Sequence, residues 1–199
     1  MKIIKFEDEQ AWLDARRGKI TGTRLKDLII KRGNKKKMGF YELIAEKVAL
    51  PATQENAMDR GKRLEEYAIE RFEKETKKKV DSSLVIWERE DNSDIAISPD
   101  GFIGKTEAVE VKCLSSARHI EAWLTKEIPS EYEEQILQYF IVNDKLQKLY
   151  FVFYDNRCPI DFFYYTIKRK EIQEKIIKYA KLEKYILKEI DEITKKILF

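Results

Sequence analysis

The stretch from Ile97 to Cys113, ISPDGFIGKTEAVEVKC, places two acids and a lysine near the ends of what reads as one small hairpin turning at Gly-Lys-Thr. In AVEVKC the strand period of two sends Glu110 and Lys112 to one face and Val109 and Val111 to the other. Asp100, at the outer end of the first strand, then falls across the ladder from the Glu110 region. Two readings fit this spacing. In one, the two carboxylates converge on a cation that relieves their repulsion. Hard oxygen ligands suit Mg²⁺ or Mn²⁺, and Lys112 lies alongside to orient or deprotonate a water that attacks a phosphodiester. In the other, PDG is a plain turn, and Glu110 and Lys112 form a surface ion pair.

Outward from the hairpin, SLVIWE and DIAIS are short and β-branched, separated from each other and from AVEVKC by DNSD and PDG. KLYFVFYDN and DFFYYTIKR add two strands around a turn containing Pro159. On the N-terminal side, Asp8 is positioned to cap a helix over EQAWLDARR, and Thr21 or Thr23 opens another over RLKDLIIKR before Gly33. FYELIAEKVAL reads as a helix halted at Pro51, and NAMDRGKRLEEYAIERFEKET as a longer one. ARHIEAWLTKE and SEYEEQILQYFIVND are also helical, the latter with Ser130 and Glu133 as a capping box. Residues 168–197 read as one long amphipathic helix whose charges form either a solvated face or an oligomer contact. Helices before and after a mixed sheet, without regular βα alternation, indicate an α/β or α+β layer fold. The expected organisation is a single domain over 1–199, with N-terminal helices over 7–76 and the sheet and site over 80–167.

Composition prunes the chemistry. Lys and Arg number 39 against 36 Asp and Glu, so the net charge of +3 leaves any polyanion to be met by a local patch. Two cysteines, Cys113 and Cys158, cannot build a disulfide framework, a four-thiolate zinc site or an iron–sulfur cluster from this chain alone. The lone histidine, His119, has no nucleophile motif beside it and reads as a helix-surface residue in SSARHIEAW. The first residues mix in acids and the longest apolar run is about LYFVFY, which predicts an intracellular, cytoplasmic protein without signal peptide or membrane span.

Three other segments bear on the hairpin. Gly61, Glu65, Ala68 and Phe72 share one helical face, so Glu65 is expected to point inward, as a metal ligand or as a partly buried ion-pair member. In ARRGKITGTRL the hydroxyls of Thr21 and Thr23 and the free N–H groups of a new helix face the same opening as Arg16 or Arg17. That is either a phosphate-sized anion pocket or ordinary capping beside solvated arginines. Gln135 lies one turn from Tyr132 and Tyr139. The loop KRGNKKK, with Lys35, Lys36 and Lys37, and residues such as Arg118 read equally as phosphate contacts or as solvated charge.

Asp100 to Lys112 has the form P-D-(x)₉-E-x-K, the signature of the PD-(D/E)xK nuclease superfamily. WLDARRGKITGT, GKRLE, SPDG, EVKC and EQILQY, in that order from about Trp12 to Asp155, further resemble the λ exonuclease family of YqaJ-like viral recombinase exonucleases. The resemblance implies that Asp100 and Glu110 hold two metal ions with the carbonyl of Val111, that Lys112 activates the water, and that Glu65 is the helix acid near the second ion. It implies that Arg16, Thr23, Ser98 and Gln135 grip a 5′-phosphate; Arg17 and Thr21, from the anion-pocket reading, are expected DNA contacts. It further implies Mg²⁺-dependent 5′→3′ digestion of one strand of linear duplex DNA, often by a ring-shaped homotrimer that supplies an annealing recombinase. The chain departs from the family pattern at Thr23, where serine is common, and in EYEEQ, which sets three acids just ahead of Gln135. The rival readings are a PD-(D/E)xK endonuclease of restriction or junction-cleaving type and a catalytically silent DNA-end-binding protein.

Overall fold

The computed structural model describes residues 9–17, 35–50 and 56–197. Asp8, Thr21, Thr23, Gly33, Pro51 and the expected helix over RLKDLIIKR lie outside these, as does the side chain of Arg16. The element order is α1 (Glu9–Arg16), α2 (Met38–Val48), α3 (Ala57–Thr76), β1 (Trp87–Arg89), β2 (Asn92–Ile97), β3 (Gly101–Ile103), β4 (Glu107–Lys112), α4 (Ser116–Thr125), α5 (Glu133–Val142), β5 (Lys148–Tyr154), β6 (Phe162–Lys168) and α6 (Gln173–Ile197). Short 3₁₀ turns at Ser130–Tyr132 and Arg169–Glu171 precede α5 and α6. This is the expected α+β class, with a four-stranded sheet in the order β3-β4-β5-β6 and a separate β1-β2 hairpin. Among the described residues no helix is long and apolar enough to cross a membrane.

The chain divides into two compact units and passes from one to the other within α3, β4, β5 and β6 and between Glu127 and Ile128. The first comprises Met1–Ala68, Lys112–Glu127 and Phe153–Phe163. Here α2 packs on α4, with Tyr41, Ala45, Ala117, Ile120 and Cys158 in a shared core. The i, i+4 and i, i+3 spacing of those helical residues puts each pair on one face. Ser115 caps α4, its hydroxyl accepting from the backbone N–H of Arg118.

His119 is a correction to the sequence reading, because it is 1% exposed. Its Nε2 donates to the carbonyl of Ile160 at 2.8 Å and its ring meets Phe163 edge-on. Position on an amphipathic helix did not reveal this, because β6 and the preceding loop cover the face that carries it. Burial holds the imidazole below its usual value.

The second unit comprises Ile69–Val111, Ile128–Val152 and Tyr164–Phe199. β4 and β5 lie inside the sheet, and all but their end residues are buried, so neither shows simple in–out alternation. In the β3–β4 hairpin Gly101 pairs with Val109, Phe102 with Ala108 and Ile103 with Glu107. Gly104, in the turn, has a φ of 60°, which glycine adopts without strain. Gly101 is needed for a different reason, since a Cβ there would come within 2.5 Å of Val80 Cγ1.

Several expected boundaries moved. SLVIWE forms a strand only from Trp87, and the hairpin turns at Glu90 and Asp91 rather than across the whole of DNSD. The tail becomes helical at Gln173 after its 3₁₀ turn. The capping box of Ser130 and Glu133 does not form, because a 3₁₀ turn intervenes and neither N-cap residue makes a side-chain capping bond. Arg169 closes the other end of α5, donating to the carbonyls of Phe140, Asn143 and Leu146 at 2.6–2.7 Å.

Gly101→Ala should lower stability to urea by about 1–3 kcal/mol, the range for an added methyl with no room to relax. His119 carries a pH dependence of definite sign. Its neutral form is favoured by the fold, so its contribution is complete above the unfolded value near 6.5. Below that value stability should fall by about 1.4 kcal/mol per pH unit until the buried ring itself protonates. Urea titrations of His119→Gln beside the parent protein should show a flatter acid limb in the variant.

Candidate active site

Extending the β3–β4 register one step past Gly101 and Val109 sets Asp100 opposite Glu110. The backbone agrees, since Asp100 Oδ2 accepts a 2.7 Å hydrogen bond from the N–H of Val111. The aspartate is thereby held at the mouth of the hairpin, directly after the buried Pro99, while Ser98 stays exposed.

Glu110 is 2% exposed, which removes the surface ion-pair reading. A buried carboxylate is costly unless donors surround it. Gln135 of α5 donates to its Oε1 at 2.6 Å, and the hydroxyl of Tyr139, one helical turn on, donates to Oε2. Tyr139 was not a predicted site residue. Its signal was available in the i, i+4 spacing from Gln135, which puts both side chains on one face. Burial raises the Tyr139 phenol far above its usual value, the Glu110 carboxylate and its hydrogen bond raise it further, and Asp100 adds to the effect.

Two of the three acids that precede Gln135 have partners on α6, and the third, Glu131, is exposed. Glu133 pairs with Lys175, and Glu134 accepts from the hydroxyl of Tyr179 at 3.5 Å. The acidic run in EYEEQ thus leaves Gln135 to its bond with Glu110.

No group of three or more Asp, Glu, His or Cys side chains is gathered as a metal cage among the described residues. Two facing carboxylates are nonetheless a donor set that fits a hard divalent ion, since Mg²⁺ commonly takes one or two carboxylates and completes its shell with water and phosphate oxygens. An oxygen with one hydrogen bond keeps a second lone pair. Asp100 and Glu110, with the carbonyl of Val111, are the residues that would hold it.

The other expected site residues have these places. Lys112 is the last residue of β4, two beyond Glu110, and is half-buried. Glu65 lies in the first unit, half-buried on α3 beside the fully buried Leu64 and Ala68, on the flank of the buried face rather than at its centre. Arg17 donates to the carbonyl of Ala49 at 3.0 Å, beyond the C-terminus of α2. Lys35, Lys36 and Lys37 are exposed, Lys36 lying 5.2 Å from the ring of Phe40, and Arg118 is half-buried.

A profile of the YqaJ-like viral recombinase domain matches residues 11–145. The chain belongs to that family. Among solved structures it is similar to LHK-Exo, an alkaline exonuclease from Laribacter hongkongensis, one of whose crystal structures is a complex with dAMP. The likeness has 29% identity and a TM-score of 0.60 and covers 94% of this chain and 97% of that one. A phage-related exonuclease from Haemophilus somnus 129PT shows a weaker likeness, at 17% identity and a TM-score of 0.46 over 72% of this chain and 77% of the other. None of the curated proteins matches significantly.

Tyr139→Phe removes one donor from the buried Glu110 and should lower stability by about 1–3 kcal/mol, the cost of leaving a charged acceptor short of a partner. Thermal or urea unfolding measures it. A neutral outcome would mean that another donor replaces the phenol.

Proposed function

We propose that the protein is a metal-dependent exonuclease that degrades one strand of linear double-stranded DNA from its 5′-phosphorylated end, in recombination of the phage type. The observation that carries this reading is the facing pair of Asp100 and buried Glu110, on a chain of the YqaJ-like viral recombinase family that is similar to an alkaline exonuclease.

A divalent ion such as Mg²⁺, when bound, supplies a Lewis acid that polarises the scissile phosphate and offsets the charge that develops on it. Asp100 and Glu110 hold their oxygens in fixed positions, the first through Val111 N–H and the second through Gln135 and Tyr139. Fixed donors of this kind need little reorganisation during reaction. Lys112 orients the attacking water and takes up its proton. The water oxygen bonds to phosphorus, the bond to the 3′-oxygen breaks, and that oxygen takes a proton from solvent, releasing a mononucleotide. On this reading Glu65 would serve a second ion, and Arg16, Thr23, Ser98 and Gln135 would grip the terminal 5′-phosphate. Arg17, Thr21, Lys35, Lys36, Lys37 and Arg118 would contact the duplex backbone, where each lost phosphate contact weakens binding and its salt dependence together. A homotrimer and an annealing recombinase partner belong to the same reading.

The test is an end-labelled duplex with Mg²⁺, supplied as linear, nicked and closed circular DNA with 5′-phosphate or 5′-hydroxyl ends. Mononucleotides released from the 5′-phosphorylated linear end, with closed circles untouched, are expected. Asp100→Asn, Glu110→Gln and Lys112→Met should each lower the rate by about 10²-fold or more, the scale of losing a general base or a transition-state charge contact. Cleavage of closed circles would favour the endonuclease reading. Binding without turnover in the parent protein would favour a silent end-binding protein.

A further inference from the structure

In the first unit a single buried guanidinium joins three stretches of chain. Arg60, in the first turns of α3, is 6% exposed. Its Nη1 donates to the carbonyls of Cys113 and Leu114, both at 3.2 Å, and its Nη2 to Asp155 Oδ1 at 2.5 Å. Asp155 is 0% exposed and follows β5. It also accepts from the hydroxyl of Ser116 at 2.6 Å, from Arg157 through Nε and the backbone N–H, and from the thiol of Cys158. Burial raises this carboxyl, but the hydrogen bonds from Arg157 and Ser116 outweigh that and keep it below its usual value.

The position of the tether gives it meaning. Cys113 and Leu114 are the first residues beyond β4, where ladder bonding stops and a strand end would otherwise fray. Lys112 is the residue immediately before them. Glu65 is carried by the same helix as Arg60, five residues further on. The guanidinium fork donates from two nitrogens held apart in one plane, so it reaches two carbonyls through one and a carboxylate through the other, whereas an ammonium donates from a single nitrogen.

We propose that Arg60, braced by Asp155, is a positioning residue for the nuclease reaction. By clamping the carbonyls of Cys113 and Leu114 it fixes the end of β4, and with it Lys112, against the helix that bears Glu65. The proposal rests on the exonuclease reading above. Arg60 touches neither substrate nor the reacting atoms in this scheme, so its effect belongs in turnover rather than in DNA capture.

Arg60→Lys separates these roles, because it keeps a positive charge beside Asp155 and loses the fork. With the full chain, Mg²⁺ and 5′-phosphorylated linear duplex, kcat should fall by about 10–10²-fold, the scale of a small misplacement of a reacting group. KM for DNA ends, and end binding in EDTA, should stay within about twofold of the parent. Thermal unfolding run in parallel confirms that the variant is folded at the assay temperature. Ser116→Ala, which removes one brace from Asp155 and leaves the ion pair intact, gives a second measure. A several-fold fall in kcat at constant KM is expected there. Folded variants with the parent's kcat, or an equal loss in end binding, would overturn the positioning role while leaving the exonuclease reading intact. A parent protein that leaves linear duplex undegraded would overturn both.

Discussion

A carboxylate buried inside a sheet is the constraint on which the rest of the second unit depends. Glu110 sits in a strand whose neighbours Ala108, Val109 and Val111 are all buried, and an ionised group there is tolerable only with donors already in place. Gln135 and Tyr139 provide them, so α5 must lie at one rotation and one height over β4. Arg169 holds the far end of that helix through three carbonyls, which makes the rotation a property of the whole unit. The hairpin register then brings Asp100 opposite, and Gly101 admits Val80 where a side chain would block the approach.

The first unit solves a similar problem with an ion pair. Asp155 and Arg60 are almost completely removed from water, and such a pair adds little stability over an apolar replacement but is strongly destabilising when one partner is lost. Its place in the structure follows from what it holds more than from what it contributes in energy. The guanidinium fork reaches two carbonyls just past β4, and the carboxylate gathers Ser116, Arg157 and Cys158.

Much of this was legible in the sequence where local chemistry and spacing act alone. The GKT turn, the strand period in AVEVKC and the resulting match of Asp100 with Glu110 all follow from the hairpin, whose contacts are near in sequence. The helical face in GKRLEEYAIERF was read nearly correctly, although the buried row runs through Leu64 and moves Glu65 to its flank. His119 was misread because its burial depends on Ile160 and Phe163, about forty residues away. The capping box failed for a related reason. Glu133 found Lys175 on a distant helix, and a 3₁₀ turn took up the start of α5.

By itself the sequence determined the class of fold, the hairpin and the identity of the acids and lysine at its mouth, because turn chemistry and side-chain periodicity operate over a few residues. Tertiary structure alone decided that Glu110 is buried rather than paired at the surface, that Gln135 and Tyr139 are the donors Glu110 meets, and that Arg60 clamps the end of β4. Each of those depends on groups 25 to 95 positions apart in the chain, and no local pattern specifies which distant donor a buried carboxylate or carbonyl will meet.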